Sequence, residues 1–168
     1  MTSWKILALA ATSGLAFGPS AQAHQIKTKS LVITHPWVHA ADKGAAATDG
    51  FLVIRNIGKE PERLLGAVID GVGEAAVVQA GPAQGDGMCT LAKGIEIAPG
   101  ATLELKPGKA GLMFGAVSTS LYENAYANGV LNFAKAGAVK VEFLVEAADA
   151  KSSGHMALAE CAPLPATQ

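Results

Sequence analysis

The chain lacks a surplus of charge of either sign. Its 168 residues include 13 Lys and Arg and 14 Asp and Glu, a formal net charge of −1. Proteins that bind nucleic acid through its phosphates need a basic patch or stripe. The near-neutral balance therefore gives no indication of a nucleic-acid partner.

The chain also lacks the short motifs of hydrolytic and nucleotide-dependent enzymes. No serine lies in a Gly-x-Ser-x-Gly setting. The glycines at positions 71 and 73 are not followed by the Lys-Ser/Thr ending of a phosphate-binding loop. The four histidines are dispersed and form no recognisable triad. The sequence therefore does not predict an enzyme.

No apolar run has the roughly 18–20 residues needed to cross a bilayer. Residues 6–17 are apolar, follow Lys5, and precede an A-x-A cleavage signal at Ala21-Gln22-Ala23. This pattern is typical of a secretory signal peptide. We expect residues 1–23 to be removed after Ala23, which gives a periplasmic protein with no membrane span.

What the sequence does contain is many short strands. Apolar residues alternate with mostly polar ones over 139–146, a period that buries one face of a strand. Turn residues separate further strand candidates at 30–34, 51–55, 63–69, 75–79 and 130–133. Residues 121–128 fit a helical turn or a loop. The pattern favours an all-β sandwich or barrel in one domain, residues 24–148, followed by a flexible tail, residues 149–168.

Residues 94–115, GIEIAPGATLELKPGKAGLMFG, combine two alternating strands, two Pro-Gly turns and a final Gly-Leu-Met. With ITHPWVHAA (33–41), GFLVIRNIGKEPERLLG (50–66) and LNFAKAGAVKVEFLV (131–145), this stretch resembles the periplasmic copper chaperones of the PCu(A)C family. The resemblance implies a cupredoxin-like antiparallel β-sandwich. It also implies Cu(I) as cargo and a partner that receives it, such as a respiratory oxidase subunit or another metallochaperone.

The family holds copper with a His, a later Met and a His-x-Met pair. The resemblance places these four positions at Gln79, Thr90, Gly111 and Met113, so only Met113 keeps a ligand type. Glutamine and threonine offer hard oxygen donors, whereas Cu(I) prefers sulfur and nitrogen. We therefore expect that the family's four-ligand site does not form in this chain.

Two interpretations of this loss remain open. In one, a rearranged set holds Cu(I): Met113 anchors the ion, Met88 lies opposite, and His155 and Met156 in the tail act as mobile ligands. Met88 lies two residues before Thr90 and shares its strand face. In the other, the domain has lost metal binding and serves as an interaction or structural module. Met113 and Met88 are also ordinary core-filling residues.

Cys89 and Cys161 are the only cysteines of the chain. An even count in an exported protein favours a disulfide, here one that ties the tail to the domain. The alternative is a reduced Cys89, next to Met88, as a Cu(I) ligand or redox-sensitive thiol.

The remaining histidines have other expected uses. We expect His35 to pack or to bond the backbone, and His39 to face solvent. Cleavage after Ala23 makes His24 the amino-terminal residue, whose amine and imidazole together chelate Cu(II). This supports a third hypothesis, a copper-dependent oxidative enzyme resembling lytic polysaccharide monooxygenases, which needs a second histidine from the fold.

Overall fold

A computed structural model describes residues 25–80, 88–147 and 159–160. Within these ranges every regular element is a strand. The predicted all-β fold class in a single domain is confirmed. The predicted signal peptide, His24, Cys161, and the tail residues His155 and Met156 lie outside the described residues.

The strands follow one another with short connections. They are β1 Gln25–Lys27, β2 Leu31–His39, β3 Ala47–Asn56, β4 Glu62–Ile69, β5 Gly73–Ala80, β6 Met88–Thr90, β7 Ile95–Ile97, β8 Thr102–Leu105, β9 Ala110–Gly115, β10 Tyr126–Phe133, β11 Gly137–Glu146 and β12 Ala159–Glu160. The strands expected from alternation all form, with longer bounds. Residues 121–128 form a turn that runs into β10 and contain no helix.

The strands close on themselves. Hydrogen-bonded neighbours run in the order β5-β9-β3-β2-β11-β10-β4, and β4 pairs back with β5. Within this ring β2 and β11 are parallel, and the other pairs are antiparallel. The expected sandwich is therefore also a closed barrel, in which no strand of the ring has an unpaired edge.

The barrel interior holds one hydrophobic core. Val139, Val141, Phe143 and Val145 of β11 point into it, as their alternation predicts. Phe114 and Phe143 meet edge to face with ring centroids 6.1 Å apart. Leu31, Ile33, Leu52, Ile54, Leu64, Leu112 and Leu131 fill the space around them. Burial of these side chains is the main source of stability.

Two buried polar side chains tie loops to the barrel. Asn56, fully buried at the end of β3, donates to the carbonyls of Glu60 and Ile97 and accepts from the amide of Gly58. The Glu62 carboxylate accepts from the amides of Arg63, Lys135 and Ala136. Each satisfies backbone groups that would otherwise be buried without a partner.

Asn56→Ala removes three buried hydrogen bonds at once. Because two carbonyls lose their donor, we expect the free energy of unfolding to fall by about 2–4 kcal/mol, measured by urea denaturation. Asn128→Ala, at an exposed position of β10, is the control and should change stability by no more than about 0.5 kcal/mol. Equal stabilities of the two variants would contradict the role given to Asn56.

Gly66→Ala tests the closure of the barrel. A Cβ at Gly66 would lie 2.7 Å from the carbonyl oxygen of Ala75, where β4 meets β5. We expect a loss of about 1–3 kcal/mol in thermal or urea unfolding, as for other overpacked sites. Gly115→Ala is the matched control, because no atom lies within 4 Å of its added Cβ. A Gly66→Ala protein as stable as this control would argue against close packing between β4 and β5 at this point.

Candidate metal site

The face of the barrel that carries the expected ligand positions is built by β6, β5, β9, β3 and β2. Along each strand, successive side chains point alternately into the core and outwards. The core-facing set includes Val77 and Leu112. The outward set, here called the outer face, consists of Trp37, His39, Asp49, Phe51, Ala76, Val78, Ala80, Met88, Thr90, Gly111 and Met113.

Register assigns the four expected ligand positions to faces. Val78 lies opposite both Thr90 and Gly111, and these share the outer face with Met113. Gln79 pairs with Cys89 and Ala110 and points to the other side of β5. Gln79 therefore does not share a face with the other three positions, because strand side chains alternate. Val78, an apolar residue, lies between Thr90 and Gly111 on the outer face.

An aromatic ring covers the position of the missing histidine. A Cβ at Gly111 would lie 3.0 Å from Cε1 of Phe51, closer than ordinary van der Waals contact. Phe51 packs in turn on Trp37, with ring centroids 4.7 Å apart. A side chain at position 111 would therefore require the Phe51 ring to shift.

The two methionines do not meet. Met113 lies opposite Ala76, and Met88 lies opposite Ala80, on the two sides of β5. Four residues along a strand and two strand spacings separate their Cα atoms by roughly 16 Å. Each side chain is half-buried. Two thioethers this far apart do not share one ion in this arrangement.

His39 is buried, so the expectation that it faces solvent is wrong. It is 7% exposed, and its Nδ1 lies 3.0 Å from the carbonyl oxygen of Ala147. Its ring meets Trp37 edge to face at 5.0 Å and Phe51 at 5.7 Å. The aromatic neighbours on the outer face cover it, a tertiary effect that alternation along β2 does not reveal.

Asp49 lies between His39 and Met113. It pairs directly with Met113 across β3 and β9. Burial raises the pKa of the Asp49 carboxyl above its ordinary value, and attraction by His39 offsets part of the rise. Neither His39 nor Asp49 was identified as a candidate ligand in the sequence. Both residues are identified by their place on the outer face. That place can be assigned only when the strand register is known.

His35 occupies a bulge of β2 and does not pack in the core. Its φ is 50°, its side chain is 49% exposed, and its Nε2 lies 3.1 Å from a carboxylate oxygen of Glu146. Its ring centroid lies 6.5 Å from that of Trp37, so the expected packing occurs at the surface, beside this contact with Glu146. Gln25 pairs with Thr34, the residue before His35.

Cys89 is bonded in a disulfide. Its strand β6 pairs in parallel with β12 of the tail, where Ala159 lies opposite Cys89. A sulfur in a disulfide is not a thiolate, so the alternative of a reduced Cys89 as a copper ligand does not hold for this structure. Cys161, the other cysteine, is outside the described residues.

Among the residues that the structure describes, no three His, Cys, Asp or Glu side chains form a group suited to a metal ion. On the outer face, Met113 is the half-buried thioether that lies beside a carboxylate.

Solved structures resemble this fold. "Copper-bound PCuAC domain from PmoF2" matches with a TM-score of 0.63 and 23% identity, covering 74% of this chain and 99% of its own. "Solution structure of CuI-DR1885 from Deinococcus Radiodurans" matches with a TM-score of 0.57 and 20% identity, covering 75% of this chain and 81% of its own. At these identities the likeness establishes the fold. It confirms the resemblance to PCu(A)C proteins that the sequence blocks indicated.

Sequence comparison gives the family. No curated protein matches the chain. In the described ranges there is no helix of the length and apolar character required to traverse a bilayer. Residues 31–145 match the LpqE-like family. The chain thus belongs to the LpqE-like family and has the fold of PCuAC domains.

Proposed function

We propose that this protein is an exported copper-binding protein that works like a copper chaperone, with Cu(I) held at an atypical site on the outer face. The observation that carries the proposal is the half-buried Met113 side chain, which shares the outer face with two other expected ligand positions, in a fold shared with a copper-bound domain. Thioethers are suited to Cu(I), a soft ion.

The transfer step needs coordination chemistry alone. A receiving protein, such as an oxidase subunit or another metallochaperone, replaces the ligands of the ion one at a time. A half-buried ligand on a barrel surface is open to such exchange, whereas a ligand inside the core is not. No bond of a substrate is made or broken, and the protein acts without catalysis.

The other expected ligands keep separate roles in this proposal. Met88 lies too far from Met113 to share its ion, so the proposed site does not include it. His155 and Met156 belong to the tail, outside the described residues, and remain proposed mobile ligands. The features of residues 1–23 support export to the periplasm, with cleavage after Ala23.

A metal-free interaction module on the same scaffold is the second candidate. It is favoured by the ring of Phe51 over Gly111 and by the apolar Val78, which leave two family positions without a donor. A face sealed by apolar groups suits packing against another protein. The two candidates differ in one measurable property, the affinity for Cu(I).

The first test is a Cu(I) titration of the mature protein against a calibrated competing chelator, without thiol reductants so that the disulfide stays intact. We expect the wild-type protein to bind one ion and Met113→Leu to bind at least about tenfold more weakly, a loss of about 1.4 kcal/mol. Leucine keeps the volume and removes the sulfur.

Met88→Leu is the matched control and should bind nearly as tightly as wild type. Wild-type protein that takes up no Cu(I) would refute the copper proposal and leave the interaction module.

A second test restores the family's His-x-Met pair. Gly111→His alone should destabilise the protein, because its Cβ would press on Phe51. In the double variant Phe51→Ala/Gly111→His the ring is gone. We expect this variant to bind Cu(I) at least about tenfold more tightly than Phe51→Ala, through an added imidazole ligand. The measurements are thermal unfolding and the same titration. A Gly111→His variant as stable as wild type would contradict the blocking role of Phe51.

A further inference from the structure

Three potential donors occupy neighbouring positions on the outer face. Asp49 of β3 lies directly opposite Met113 of β9. The register between β2 and β3, with Val38 opposite Gly50, continues one step to His39 beside Asp49. Side chains directly opposite one another on one face have Cβ atoms about 4.5–5.5 Å apart. Imidazole, carboxylate and thioether therefore form a row across three strands.

The ring of His39 is held in an orientation that suits a ligand. A carbonyl oxygen only accepts hydrogen bonds, so the contact with Ala147 places the proton on Nδ1 and leaves the lone pair on Nε2. Ala147 follows β11, on the side of β2 opposite β3. Since the two nitrogens leave the ring in different directions, Nε2 points away from β11. Metal-bound histidines commonly donate their other N–H to a carbonyl in this way.

Packing fixes this orientation. Trp37 and Phe51 contact the His39 ring edge to face. These rings also exclude water from one side of the row, which strengthens attraction between a cation and Asp49. A cation placed above Asp49 would find one negative charge and two neutral donors.

The spacing is compatible with one shared ion. The Cα atoms of His39 and Met113 are two strand spacings apart, roughly 10 Å. Imidazole and thioether side chains on either side of Asp49 span this distance when both lean towards it. The pair Met88 and Met113 does not meet this condition.

From this arrangement we propose that the copper ion is bound by His39 Nε2 and the Met113 sulfur, with Asp49 between them as a third, charge-balancing donor. The proposal rests on the proposed copper function and names its ligands. Nitrogen and sulfur suit Cu(I), and the carboxylate allows the site to retain the ion on oxidation to Cu(II). His39 on β2 thus takes over the nitrogen ligand that Gly111 on β9 has lost.

The test is a Cu(I) titration of the mature wild-type protein, His39→Gln and Asp49→Asn against a competing chelator. We expect His39→Gln to weaken binding at least tenfold and Asp49→Asn to weaken it less. His35→Gln is the matched control: its imidazole lies on the same strand but faces solvent beside Glu146, so its affinity should equal that of wild type.

A measurement on the folded wild-type protein keeps the test independent of variant stability. Cu(I) is diamagnetic, so the ring nitrogens of ¹⁵N-labelled histidine can be followed during the titration. Binding as proposed shifts the Nε2 signal of His39 and leaves its Nδ1 protonated.

The outcomes separate the two proposals. If the wild-type protein binds Cu(I) while the His39 ring signals stay unchanged and His39→Gln binds normally, this ligand assignment is overturned and the copper function stands. If the wild-type protein binds no Cu(I), both fall together.

Discussion

Side-chain alternation on a closed sheet is the constraint on which the rest of this structure depends. Because β4 pairs with β5, the sheet has one inside and one outside. Every side chain of the ring strands must therefore point either into the barrel or out of it. Leu112 and Phe114 fill the core, so Gly111 and Met113 are committed to the outer face. The same rule removes Gln79 from that face and puts Val78 on it.

The outer face can vary while the barrel stays unchanged. Phe51 lies close to Gly111, where the resemblance places a histidine of the family. The same aromatic cluster supports His39, two positions further along β2 from Trp37. In the proposed arrangement the nitrogen donor has moved by two strands while Met113 has stayed in place. The fold tolerates this because outward residues do not take part in core packing.

The family relation and the proposed copper site rest on different features of the chain. Membership in the LpqE-like family and the PCuAC fold follow from the sequence match and the shape of the barrel. Copper binding by this chain depends on particular donors, and a fold by itself does not supply them. The roles of Met113 and His39 are therefore tested by Cu(I) titration and do not follow from structural similarity.

The sequence by itself determined the strands, the all-β class and the family blocks, because alternation and turn residues act locally. The resemblance also implied that only Met113 keeps an expected ligand type. Only the tertiary structure decided that Phe51 covers Gly111, that Met88 is remote from Met113, and that His39 is buried beside Asp49. These facts depend on the register between strands that are distant in sequence. A shift of that register by one residue would move every side chain of a strand to its other face.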